Sequence, residues 1–279
     1  MAIRVYTGTG TSRNGAPLLI EELSKHLTIP VAGIDEHEMR GSRAWETKTT
    51  TLIFAGQSVG QFKAALGKDV MERIRQALHA GAFDYAGICA GVALALSRIK
   101  YRMKPTAPHG PPIKIENTGL ALFNGLASGP CRSVSPLPFS GGPENLSLIR
   151  LRSPQDYQAY NAFFWGGPAI IPTESLAPHD GRMLAFLESD GTPLAVRSKF
   201  GQGRVSLFSF HPEINAGNIG RWAEARFLSE GEALRLERLA GQLDGTAFTR
   251  FLNDAGLTPH IAPKKEAAPA ATHYNFDLL

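Results

Sequence analysis

The run Tyr85-Ala86-Gly87-Ile88-Cys89-Ala90-Gly91-Val92-Ala93-Leu94-Ala95-Leu96 constrains the fold more than any other stretch of the chain. An apolar segment arrives, a cysteine sits among small residues, and an alanine-rich segment leaves, which reads as strand, sharp turn and helix. In the serine form of this pattern, G-x-S-x-G, the nucleophile occupies a strained elbow above an α/β sheet, and glycines two residues to either side relieve the crowding. Gly87 and Gly91 hold those places here, and Cys89 stands where the serine would. A cysteine at such a corner lies beside the positive end of the departing helix, a position that favours thiolate. A free cysteine is also a small hydrophobe that packs well in a core. This stretch by itself leaves both readings open.

The flanking elements fit an α/β sheet. Residues 3–7 form a strand-like run, followed by a glycine-rich loop and a helix opened by Pro17, with Leu18, Leu19, Leu23 and Leu27 near helical spacing. Gly8-x-Gly10 lacks the third glycine of a dinucleotide loop and reads as a plain strand-to-helix turn. Residues 29–34 make a second strand, after which Asp35-Glu36-His37-Glu38 reads as a solvated loop rather than a metal cluster. Residues 49–54 are strand-like and stop at Ala55-Gly56-Gln57-Ser58. Val70, Ile74, Ala77 and Leu78 share one face of a helix over 70–80 that Gly81 ends. Strands alternating with helices at this spacing predict a parallel sheet covered on both faces, with sites beyond the carboxyl ends of the strands.

From residue 105 to 143 glycine and proline are dense and helical periodicity disappears, which marks a β-rich insertion over about 105–165. Pro111-Pro112 and Gly141-Gly142-Pro143 read as turns and 146–151 as a strand. The aromatic run 160–165 ends at Gly166-Gly167-Pro168. Strands at 184–187 and 194–200, a tight turn at Gly201-Gln202-Gly203 and an alternating strand then lead straight into His211-Pro212-Glu213. Residues 221–252 carry a helical pattern and form an extension that closes a domain of 1–257. Residues 258–279 read as a tail.

His211 and Glu213 give the elbow its partners. Residues i and i+2 at the end of an extended strand point to the same side, and Pro212 keeps them extended. A histidine that accepts a thiol proton and hands it to a leaving amine needs its ring fixed in one tautomer, which a neighbouring carboxylate does. His-x-Glu alone is common. Joined to G-x-C-x-G it predicts Cys89 as nucleophile, His211 as base and Glu213 as the orienting acid. An oxyanion would be held by the N–H of Ala90 and by the turn at Gly56-Gln57, with Trp165, Gly166 and Gly167 walling the substrate pocket.

Composition narrows the alternatives. The 279 residues are 43% hydrophobic and 19% charged, enough for a sizeable core. The net charge of +4 is scattered, with no stripe to follow a phosphate backbone, so no nucleic-acid partner is expected. Two cysteines, Cys89 and Cys131, make neither a disulfide framework nor paired metal spacing. No metal and no cofactor is expected, and a reducing cytoplasm fits. No apolar run approaches the ~20 residues that span a bilayer, and the first residues lack a signal-peptide core.

With these residues in hand, the chain resembles a class I glutamine amidotransferase-like domain, most closely the one at the N-terminus of eukaryotic biotin–protein ligases. The resemblance spans roughly residues 3–220, from Val5-Tyr6-Thr7-Gly8 to His211-Pro212-Glu213. It rests on the elbow, on Leu122-Phe123-Asn124-Gly125 with Ser128-Gly129-Pro130, on Trp165-Gly166-Gly167-Pro168 and on the final strand. It implies a flavodoxin-like three-layer α/β sandwich with a central, mostly parallel sheet, and carries the family's nucleophile to Cys89, its base to His211 and its acid to Glu213. Where the family usually shows proline and two glycines in the oxyanion turn, this chain has Ala55-Gly56-Gln57, and a positive φ at Gln57 would strain it. The stretch after Leu252 is too short for a biotin-adenylating domain, so biotin transfer is not expected. Ammonia transfer would need a separate acceptor or partner protein. The expectation is a stand-alone cysteine hydrolase acting on a small-molecule or peptide amide through a thioester. The alternative is a binding or regulatory module that keeps the fold with weak or no turnover.

Overall fold

The computed structural model describes residues 1–12, 14–56, 58–104, 113–142, 145–173, 181–224 and 230–257. Its first half alternates strand and helix: β1 (Ala2–Tyr6), α1 (Gly15–His26), β2 (Val31–Ile34), α2 (Glu36–Gly41), α3 (Ala44–Lys48), β3 (Thr49–Gly56), α4 (Val59–His79), β4 (Asp84–Cys89) and α5 (Ala90–Ala95). A β-rich second half follows: β5 (Leu96–Arg102), β6 (Ile113–Asn117), β7 (Phe123–Gly129), β8 (Leu146–Arg152), β9 (Ala159–Trp165), β10 (Ala169–Pro172), β11 (Gly181–Leu187), β12 (Pro193–Phe200) and β13 (Gly203–Phe208). Three helices close it: α6 (Ile219–Glu224), α7 (Glu230–Ala240) and α8 (Thr246–Asp254).

The main sheet has the order β2-β1-β3-β4-β13-β12-β11-β8-β9. It is parallel from β2 to β13 and antiparallel from β13 to β9. The sheet is therefore parallel over the half that carries Cys89, and antiparallel strands extend it. Because side chains alternate across a strand, each parallel strand feeds two cores. Ile53 and Ala55 of β3 join Leu19, Leu23, Phe248 and Phe251 from α1 and α8 on one face. Leu52 and Phe54 join Phe62, Val70, Ile74 and Leu78 from α4 on the other. This is the three-layer α/β sandwich that the strand–helix alternation predicts.

A second sheet, β10-β7-β5-β6, shares the α4 and α5 core through Ile99, Phe123, Ala127 and Ile170. It begins at Leu96, directly after α5, whereas β8 and β9 join the main sheet. The insertion expected over about 105–165 thus divides between two sheets, and the second sheet starts before it.

Two local readings change. Asp35–Glu38 is not a solvated loop. Asp35 caps α2 by accepting the Glu38 N–H at 2.8 Å, and Glu36 is buried. Helix α4 starts at Val59, eleven residues before the periodic face, and breaks at Gly67 (φ 70°, ψ 171°), which interrupts the apolar spacing that a sequence reading follows. The readings of Pro111-Pro112, Pro143, residues 225–229 and the tail 258–279 fall outside the described residues.

Phe62 of α4 is fully buried and meets Tyr6 and Phe54 edge-on, both at 5.5 Å between centroids. Phe62→Ala should lower unfolding free energy by about 3–5 kcal/mol, measured by denaturant titration.

Candidate active site

Cys89 ends β4 with φ 53° and ψ −108°, a conformation that costs a residue with a side chain on the order of 1–3 kcal/mol. The chain is held there by close backbone packing. A Cβ on Gly91 would lie 2.0 Å from the carbonyl oxygen of Phe54, and one on Gly87 would lie 2.7 Å from the Gly91 backbone. The two glycines flanking the cysteine are thus required by the approach of α5 to β3 and β4. Cys89 is buried, with 8% of its surface exposed.

Strand register assembles the neighbours. Gly56 pairs with Cys89 across β3 and β4, and Phe208 pairs with Ile88 across β13 and β4, three residues before His211. The His211 N–H donates to the Phe163 carbonyl at 2.8 Å, which fastens the segment after β13 to β9. His211 Nδ1 and Glu213 Oε1 are 2.8 Å apart. The expected strand alternation does not bring them together. A turn does, closed by the Ile214 N–H donating to the His211 carbonyl at 3.3 Å, with Pro212 at the position where its fixed φ favours turning. Asn218 locks the turn by donating to the Glu213 carbonyl at 2.7 Å.

Both His211 and Glu213 are buried, at 6% and 1% exposure. Burial works against charge on the His211 ring. The charges of Glu213 and Cys89, and hydrogen bonding to them, outweigh it and push the ring up to about 10. His211 Nε2 has no well-aligned hydrogen-bond partner, and neither has Glu213 Oε2. Cys89 is, with Glu213, one of the two groups whose charge holds the ring's proton. Its Sγ faces the Trp165 carbonyl at 3.7 Å, a weak contact.

Trp165 and Gly166 line a half-open cavity of about 140 Å³ beside Cys89, along with Ala90. Gly167 serves the same region by close approach, since a Cβ there would lie 1.8 Å from the Ser209 carbonyl oxygen, on the segment leading to His211. Gly56 sits beside Cys89 in register, whereas Gln57 lies outside the described residues. The structure thus brings together Cys89, His211, Glu213, Gly56, Ala90, Trp165, Gly166 and Gly167.

The sequence reading missed four further residues of the cavity lining, Ile99, Tyr101 and Met103, with Phe139. Their signal is the i, i+2, i+4 spacing of Ile99, Tyr101 and Met103 along β5 and the residue that follows it, where Arg98, Lys100 and Arg102 alternate with them. The Tyr101 hydroxyl donates to the Gly166 carbonyl, and its ring meets Phe139 edge-on at 5.9 Å. Burial, with the Cys89 charge adding to it, holds the phenol well above its ordinary value. Glu36 was also missed. It accepts from Tyr6 Oη at 2.9 Å and from Thr9 Oγ1 at 2.6 Å. Burial alone would raise its carboxyl, but these and backbone hydrogen bonds bring it down to about 2. The loop so pinned accepts the Ser58 N–H at Gly10, and Ser58 lines the cavity.

Among the described residues, no group of three or more His, Cys, Asp or Glu side chains is arranged to hold a metal ion, and no helix is long and apolar enough to cross a membrane.

The architecture is that of glutamine amidotransferases. A solved glutamine amidotransferase from Thermotoga maritima superposes with a TM-score of 0.53 at 14% identity, covering 91% of this chain and 99% of that one. The solved protein SMU.1228c gives 0.50, again at 14% identity, covering 92% and 100%. No curated protein sequence matches. The profile of the biotin-protein ligase N-terminal region matches residues 1–267, and the chain belongs to that family.

Because the folded protein holds the His211 proton more tightly than the unfolded chain does, this stabilisation is fully present below 6.5 and is lost as pH rises toward about 10. NMR of ring-labelled protein should find His211 protonated at neutral pH, and Glu213→Gln should move its midpoint down. A wild-type midpoint near 6.5 would contradict the coupling.

Proposed function

We propose that the protein is an amidotransferase-like cysteine hydrolase that cleaves an amide or related acyl group through a Cys89–His211–Glu213 triad. The observation that carries the reading is the buried Nε2 of His211, without an aligned partner and under the influence of Cys89, while Nδ1 is held at 2.8 Å by Glu213. A charged ring fixed in this way already holds the proton that a leaving nitrogen needs.

Cys89 Sγ attacks the acyl carbon, and the C–N bond breaks as His211 passes its proton to the departing nitrogen. Water then adds to the thioester carbon, giving its proton to His211, and the C–S bond breaks to release the acid and restore Cys89. The N–H of Ala90 and the backbone at Gly56-Gln57 would hold the oxyanion. Val59 and Gly60, the first residues of α4, also line the cavity, and helix-initial N–H groups have no partners within the helix, so they add positive potential where negative charge develops. Trp165, Gly166 and Gly167 wall the substrate. Transfer of released ammonia would need an acceptor.

A second reading, a binding module with the same fold and no turnover, is favoured by the burial of Cys89 at 8% exposure. Intact mass spectrometry after incubation with candidate amides separates the two. The hydrolase gives a thioester adduct on Cys89 that is lost in Cys89→Ala, and Glu213→Gln lowers turnover by roughly 100-fold or more. Tight ligand binding with no adduct and no released amine favours the module.

A further inference from the structure

The lining of the cavity has a chemistry of its own. Val59, Ile99, Tyr101, Met103, Phe139 and Trp165 present hydrocarbon and aromatic rings. Among the described residues that line the cavity, none is Asp, Glu, Lys, Arg or His, and Cys89 and Tyr101 are its only titratable groups. The Tyr101 hydroxyl is spent on the Gly166 carbonyl, and burial keeps its phenol neutral. A free α-amino acid bound here would have to strip water from an ammonium and a carboxylate with no opposite charge to receive them. The start of α4 follows directly on the Gly56 that pairs with Cys89, so its positive end serves the reacting carbonyl rather than the distant end of an acyl chain.

We infer that the substrate of this site is an amide, ester or thioester whose acyl group is apolar, uncharged and about the size of a phenyl or branched alkyl group, and not free glutamine. The size follows from the cavity, since about 140 Å³ is close to the ~150 Å³ apolar void that takes up one benzene. The inference rests on the reading of Cys89 as a nucleophile and specifies what that nucleophile receives. Tyr101 positions the Trp165-Gly166 wall, and Met103, 38% exposed, stands at the rim.

Two chloromethyl ketones test it on the 279-residue protein, one made from 3-phenylpropanoic acid and one analogous to glutamine with its α-ammonium and α-carboxylate free. With either, the Cys89 thiolate forms the C–S bond as the C–Cl bond breaks, chloride leaves with the bonding pair, and His211 keeps the proton it already holds. Rates are followed by intact mass and divided by the rate of each reagent with a small free thiol. The phenyl reagent is expected to label Cys89 roughly tenfold faster or more after this correction. Met103→Glu, with an unchanged circular dichroism spectrum, is expected to shrink that preference at least several-fold. Equal labelling, a preference for the glutamine analogue, or an undiminished preference in Met103→Glu overturns the apolar assignment while leaving the nucleophile reading intact. If neither reagent labels Cys89 faster than the free thiol, the nucleophile reading fails, and the substrate assignment with it.

Discussion

The packing of Gly91 against the carbonyl of Phe54 is the constraint on which the rest of the site depends. It draws the start of α5 down onto β3, and the chain leaving β4 turns within one residue only by taking Cys89 to φ 53°. A residue with a side chain does not hold that conformation unless its surroundings over-determine it. Here they do, because β4 is central, paired with β3 on one side and β13 on the other, and its strand side chains are buried on both faces. The strain at Cys89 is offset by packing spread over the whole sheet.

The same register that fixes the elbow delivers its partners. Gly56 and the segment after β13 flank Cys89 because β3 and β13 are its hydrogen-bonded neighbours, and parallel strands open at the same edge. The walls are then set by contacts remote in sequence. Glu36 gathers Tyr6 and Thr9, the loop they belong to accepts the Ser58 N–H, and Tyr101 from the second sheet ties down Gly166.

Around His211 the surroundings are aromatic. Phe163 and Trp165 stand 6.3 and 6.4 Å from its ring, and Trp222 packs against both at 5.0 and 5.5 Å. A charged pair in such a place loses water, and the low polarity strengthens its mutual attraction. That is why the ring is driven upward although burial alone would lower it. The turn locked by Asn218 supplies the geometry that makes this attraction worth the desolvation.

The elbow, the strand–helix alternation and the pairing of His211 with Glu213 were legible in the sequence because each depends on neighbours a few residues apart. Side-chain alternation, helix periodicity and the demand for small residues at a sharp turn are local rules, and they identify Cys89, His211 and Glu213. The turn that joins His211 to Glu213 escaped, because an extended frame and a proline-bearing turn place residues i and i+2 with equal ease on paper. The buried helix cap at Asp35–Glu38 escaped because four polar residues read as solvated until Tyr6, at the end of β1, and Thr9, in the loop after it, arrive. The apolar wall of Ile99, Tyr101, Met103 and Phe139 was decided by tertiary structure alone. Alternation along β5 gives it two faces, but only the docking of the second sheet on α4 and α5 turns one of those faces toward Cys89.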